Sequence, residues 1–231
     1  MKTKQEIKAL IFDFDGLIVD TETTDFAAWQ QIFASYGAVF PRDVWDQIIG
    51  THCPFDPLDL LAAQIGYALE KTAVTAQRRQ IEAELLAAQP ILPGVLDTLN
   101  QARELDLKIG LASSSKHEWV DPHLARLELA DWFEVVCCSD DVDGRTKPDP
   151  AVYQTAVAGL GVLPNNALAL EDSPNGALAA RRAGLTCVVI PNVMTAHLDF
   201  TTAAPHMRLN ALSDLSLTQL LAALSVQEAV A

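Results

Sequence analysis

The sequence predicts an α/β protein: a doubly wound parallel sheet with helices on both faces and a helical domain inserted near its start. Three observations predict this. Short apolar runs recur along the chain and each ends in a polar or turn-forming segment. Helical patterns rich in alanine and leucine separate those runs. Finally, between about Thr23 and Gln89 no convincing strand pattern occurs.

The first strand is expected at Ile7–Phe12, running into Asp13-Phe14-Asp15-Gly16. The insert follows. Helical patterns cover Thr24–Tyr36, Arg42–Ile49, Pro57–Tyr67 and Thr75–Ala88, with breaks at Gly37, Gly50–Pro54 and Gly66. Pro90, Pro93 and Gly94 mark the return to the sheet. Residues 1–20 and 91–231 therefore read as the core, and residues 21–90 as the helical insert. Hinges are expected near Thr21–Thr23 and Gln89–Pro93. The remaining strands are expected at Lys108–Ala112, Glu134–Cys138, Ala167–Leu170 and Thr186–Ile190, and a closing helix with a loose end at Ser213–Ala231.

Composition narrows the function. The chain has 231 residues, half of them hydrophobic, and a formal net charge of −14. Such an acidic surface does not attract nucleic acid or an anionic membrane. The four cysteines, Cys53, Cys137, Cys138 and Cys187, lack the CxxC spacing of a zinc site and read as buried thiols of a cytoplasmic protein. The N-terminus has no signal-peptide pattern, and no apolar stretch reaches the roughly 20 residues of a membrane span. A monomer is the default expectation.

Chemistry concentrates at the strand ends, where ligands of parallel sheets collect. Alternation puts Asp13 and Asp15 on one face and turns Phe14 into the core. Unit charges 4 Å apart repel by about 4 kcal/mol at an effective dielectric near 20, so paired carboxylates call for a cation. Gly16 permits a sharp turn and close approach to a ligand. A second acid pair, Glu171-Asp172, ends the fourth strand; Asp172-Ser173-Pro174 also has the form of a helix N-cap. Four carboxylates at one sheet edge favour a hard, oxygen-liganded metal, Mg²⁺ before Ca²⁺. Ser113-Ser114-Ser115 follows the second strand, suited to phosphate oxygens or to another helix cap. Lys147 precedes Pro148, which restricts the chain beside it.

Together these segments resemble the haloacid dehalogenase-type phosphohydrolases: DFDGLIVDTE at Asp13–Glu22, Ser113 after Leu111-Ala112, Lys147 in TKPDP, and Glu171-Asp172 in LEDSPNG. The resemblance is to the branch of β-phosphoglucomutase and small sugar-phosphate phosphatases. It implies a Rossmann-like core with a helical cap, and roles for the motif residues. Asp13 would attack phosphorus and become a phospho-aspartate, and Asp15 would serve as acid and base. Mg²⁺ would be held by Asp13, the carbonyl of Asp15 and Asp172, with Glu171 orienting its waters. Ser113, the Ser114 N–H and Lys147 would stabilise the transferring phosphoryl group, with Gly16 close by. Lys116 and His117 would reach the distal part of a small phosphorylated metabolite.

Two departures bear on mutase against phosphatase. Asp25 stands where β-phosphoglucomutase has a histidine. Cys53 stands where, counting from Gly50, its cap has a phosphate-gripping arginine. A mutase must hold a bisphosphorylated intermediate, so hydrolysis is the expectation and a hexose phosphomutase the alternative. His52 or the Arg78-Arg79 pair are candidate substitutes for that arginine. A receiver-like phospho-accepting signalling module is a remote third reading, because the chain is longer and its second acid pair follows the lysine.

Overall fold

The computed structural model describes residues 6–47, 49 and 56–230, with the backbone alone for 227–230. Six parallel strands form one sheet in the order β3-β2-β1-β4-β5-β6. They are β1 (Ala9–Phe12), β2 (Lys108–Ala112), β3 (Val135–Cys137), β4 (Ala167–Glu171), β5 (Thr186–Val189) and β6 (Met207–Arg208). The first strand is central, between β2 and β4, with Phe12 in register with Leu111 and Leu170. The residues after these three positions therefore emerge at one edge, which brings Asp13 beside Glu171.

The strands β1, β4 and β5 are buried along their whole length because both faces are covered. On one face, Leu10, Phe12, Leu111, Leu168 and Leu170 pack against α5 (Val95–Glu104), α6 (His117–Arg126) and α9 (Leu217–Val230). On the other, Ala9, Ile11, Ala169 and Val189 meet α7 (Ala151–Leu160) and α8 (Pro174–Arg182). Cys137 and Cys138 fall on opposite faces, as alternation requires, and both are buried free thiols, like Cys187. Cys53 lies outside the described residues.

The insert is helical: α1 (Thr21–Ser35), α2 (Arg42–Trp45), α3 (Pro57–Ile65) and α4 (Lys71–Ala87). It has its own apolar cluster, in which Ile32, Phe33, Phe40, Trp45 and Leu61 pack with Met194 from the loop after β5. Two helices start earlier than their apolar patterns indicate. Asp20 accepts from the Thr23 N–H at 3.0 Å and Glu70 from the Thr72 N–H at 3.1 Å, so polar caps extend α1 and α4 backwards. The second helix is shorter than expected, ending at Trp45. The two-residue β6 was not expected; it is too short to show an alternation. No helix among the described residues is long and apolar enough to cross a membrane.

Candidate active site

Asp13 follows β1, and its N–H donates to the Leu170 carbonyl at 3.0 Å, extending the ladder to the sheet edge. The chain then turns. Gly16 has φ +81°, and its N–H donates to the Val19 carbonyl at 2.9 Å. A side chain at Gly16 would collide with the Asp172 carboxylate and the Asn192 amide, so the glycine is needed for space as well as conformation.

Lys147 joins the two acid pairs. Its Nζ lies 2.5 Å from Asp13 Oδ1 and 2.6 Å from Glu171 Oε1, and the residue is 3% exposed. Glu171 is fully buried. Its Oε1 also accepts from the Tyr153 hydroxyl at 2.5 Å, and its Oε2 from the Asp172 N–H at 3.2 Å. A side chain at Gly176 would overlap that carboxylate, which explains the glycine in α8. Asp172 Oδ2 accepts from Asn192 Nδ2 at 2.8 Å, and the same nitrogen donates to the Gly16 carbonyl at 3.0 Å. Ser173 performs the capping role its motif offered, accepting from the Gly176 N–H at 3.1 Å.

Asp13, Glu171 and Asp172 each offer a carboxylate oxygen within 4.8 Å of the others. The charge there is lopsided. Burial first, then the neighbouring Glu171, pushes Asp13 up to about 8 despite the opposing Lys147. Burial, Asp13 and Glu171 push Asp172 well above the usual carboxylate range. Burial works against the Lys147 ammonium, but Asp13 and Glu171 outweigh it and raise its pKa. One lysine does not balance three buried carboxylates. An all-oxygen donor set with surplus negative charge fits a hard divalent cation such as Mg²⁺.

The Asp15 side chain is engaged elsewhere. Its Oδ2 accepts from Ser115 Oγ at 2.7 Å and Ser113 Oγ at 3.3 Å, and its Oδ1 from Trp119 Nε1 at 2.9 Å. Ser113 is fully buried, and its hydroxyl also accepts from the Ser115 N–H at 2.9 Å. Ser114 lies on the open side, and its hydroxyl accepts from the Lys147 N–H at 3.1 Å. The serine segment thus holds both the second aspartate and the lysine loop.

Asp13, Asp15, Ser114, Ser115, Lys147 and Asp172 floor a cavity of about 720 Å³ roofed by the helical insert. Lys116 and Arg79 border it as exposed residues. His117 does not; its ring nitrogens face Asp121 at 3.0 Å and Asp141 at 2.8 Å. Arg78 is no free phosphate grip. Its Nη1 is paired with Asp25 Oδ1 and, at 3.0 Å, with Glu82 Oε2. Gly50, His52 and Cys53 lie outside the described residues. Glu22 lines the cavity too, its carboxyl pushed well up by burial and by Asp15 and Asp25.

Sequence reasoning missed Trp119, Tyr153 and Asn192. Asn192 stands just past a strand's carboxyl end, a signal that would have found it. Tyr153 and Trp119 sit within helices, where nothing in the sequence separates them from core aromatics.

A family model described as haloacid dehalogenase-like hydrolase matches residues 7–184. The chain is similar to YhcW of Bacillus subtilis (strain 168), whose name places it among phosphatases: 46% identical, covering 96% of this chain and 99% of that protein. It is 32% identical to the phosphorylated carbohydrates phosphatase of Thermotoga maritima, over 78% of this chain and 82% of that one. Among solved structures, CbbY of Rhodobacter sphaeroides in complex with phosphate matches with a TM-score of 0.72 and 26% identity, covering 93% of this chain and 99% of that one.

Proposed function

The chain belongs to the haloacid dehalogenase-like hydrolases, and from that premise we propose a Mg²⁺-dependent phosphatase that hydrolyses a small sugar phosphate through a phospho-aspartate on Asp13. One observation carries this reading: Asp13 lines the cavity with Lys147 on one of its oxygens and two further carboxylates beside it.

The residues divide the work. Asp13 attacks phosphorus, forming an O–P bond as the bond to the leaving oxygen breaks. Asp15 protonates that oxygen, then takes a proton from the water that cleaves the acyl phosphate. Lys147 and the Ser114 N–H stabilise charge on the phosphoryl oxygens, and Ser113 fixes Asp15. Asp13, Asp172 and the Asp15 carbonyl would hold Mg²⁺, with Glu171 orienting its waters. That ion would neutralise charge on the transferring group. Asn192 and Tyr153 fix Asp172 and Glu171. The insert, residues 21–90, acts as a cap that excludes water and chooses the substrate.

Hydrolysis is favoured over internal phosphoryl transfer because Arg78 is already paired with two acids, leaving it unsuited to a second phosphate. The test is phosphate release from p-nitrophenyl phosphate and a panel of sugar phosphates with and without Mg²⁺. Asp13→Asn should abolish turnover. Equal inertness of wild type and variant across the panel would sink the reading. Interconversion of sugar phosphate isomers faster than phosphate release would replace it with a mutase.

A further inference from the structure

The segment from the end of β2 into α6 converges on Asp15. Among the described residues, three side-chain donors reach its carboxylate. The hydroxyls of Ser115 and Ser113 both donate to Oδ2, at 2.7 and 3.3 Å. Oδ1 accepts from the Trp119 indole N–H at 2.9 Å. That indole is braced in turn. Its ring meets the His123 ring edge to face with centroids 4.5 Å apart, and His123 stacks on Phe14 at 6.3 Å. Trp119 and His123 stand one helical turn apart on α6 and share a face. A row of three rings thus runs from Phe14, the neighbour of Asp15 in the chain, back to Asp15 itself. Trp119, His123 and Asp15 all line the cavity.

We propose that Trp119 is a positioning residue for proton delivery: its indole N–H sets the plane of the Asp15 carboxyl group, and the proton passes to the leaving oxygen through Oδ1. The proposal rests on the phosphatase reading above and deepens it.

The argument starts from rotation. The last torsion of an aspartate is broad, so a carboxyl tied at one oxygen can swing. Both serines tie the same oxygen. A donor on Oδ1 is the second tie, and two ties fix the plane. The type of donor matters as well. A carboxylate offers about four acceptor sites. The serines take two on Oδ2 and the indole takes one on Oδ1, which leaves Oδ1 the site for the transferable proton. A hydroxyl can accept a hydrogen bond from that proton; an indole N–H only donates and cannot divert it. In the step itself an Asp13 oxygen bonds to phosphorus and the ester P–O bond breaks. The leaving oxygen takes both electrons of that bond and the proton from Oδ1, and Asp15 is left as a carboxylate. Leaving groups need this proton to different degrees. An alkoxide is a strong base and must be protonated as it departs, whereas p-nitrophenolate is a weak base and departs without help.

The experiment compares Trp119→Phe with wild type on benzyl phosphate and p-nitrophenyl phosphate, using the full chain with Mg²⁺. Phenylalanine keeps a ring against His123 and removes the N–H. The quantity is kcat/KM, which runs from free enzyme to the transition state for ester cleavage and leaves out the later attack of water. The variant should lose about tenfold or more on benzyl phosphate, from a misplaced acid, and stay within about twofold of wild type on p-nitrophenyl phosphate. Equal losses on the two esters, or no loss on either, overturn the proposal. A second arm needs no change at Trp119. The indole N–H proton resonance of that residue in the full chain should move upfield in Asp15→Ala, and a resonance that stays in place also overturns the proposal. If wild type releases phosphate from neither ester nor any sugar phosphate, the phosphatase reading fails by itself. The resonance then still decides whether Trp119 holds Asp15.

Discussion

Lys147 is the residue whose environment is most demanding: an ammonium, 3% exposed, between Asp13 and Glu171, with the Tyr153 ring 5.0 Å away. Removing one partner of a buried pair leaves charge uncompensated, at a cost of roughly 3 kcal/mol or more. Lys147→Met should therefore lower both activity and the urea midpoint, whereas a surface lysine variant such as Lys8→Met should change neither. Glu82 carries a different signal. Burial first, then Asp25, raises its pKa from 4.5 to about 7. The folded state thus binds this proton more tightly than the unfolded chain. The stability so contributed is full below pH 4.5 and is lost as pH rises through about 7, an effect of up to about 3 kcal/mol. Stability measured across that window should fall less steeply in Glu82→Gln. At this scale the sequence was informative where residues sit in strand-end motifs: Asp13, Lys147, Glu171 and Asp172 do converge. It was silent on Asn192, Tyr153 and Trp119, whose roles depend on distant partners. It also did not reveal that the hydroxyl of Ser113 faces Asp15.

Among the elements, strands were easier to read than helix ends. A strand buried on both faces is a continuous apolar run, and β1, β2, β4 and β5 show it plainly. The start of α1 depends instead on one polar cap, since Thr21–Thr24 lack an apolar stripe. Asp20 supplies that cap through its bond to the Thr23 N–H. Asp20→Ala should cost about 1 kcal/mol, read as a lowered urea midpoint, and Asp20→Ser should recover most of it. Because α1 packs along α4, fraying there would also loosen Asp25 against Arg78.

For the molecule as a whole, the formal charge of −14 and the crowded carboxylates act in the same direction. A bound divalent cation relieves both. Mg²⁺ should raise the melting temperature, and EDTA should reverse the rise. At a hundredfold excess over Kd, the linkage is worth about 2.7 kcal/mol. An unchanged melting temperature at millimolar Mg²⁺ would count against a cation on Asp13 and Asp172. The sheet with its inserted helices was legible because hydrophobic periodicity encodes it. The seam between insert and core was not, because it joins distant segments: Arg42 donates to the Met194 carbonyl at 3.1 Å, and His197 meets Asp46 at 2.8 Å.

The strip from Asn192 to His197 has one end on Asp172 and the other beneath α2. It links the insert to the acid trio as a tie-rod would. A tilt of the roof would tug Asn192, and with it an oxygen in the acid trio. Tension along this strip would let the pocket's grip on its cargo set the posture of the very oxygen meant to hold the cation.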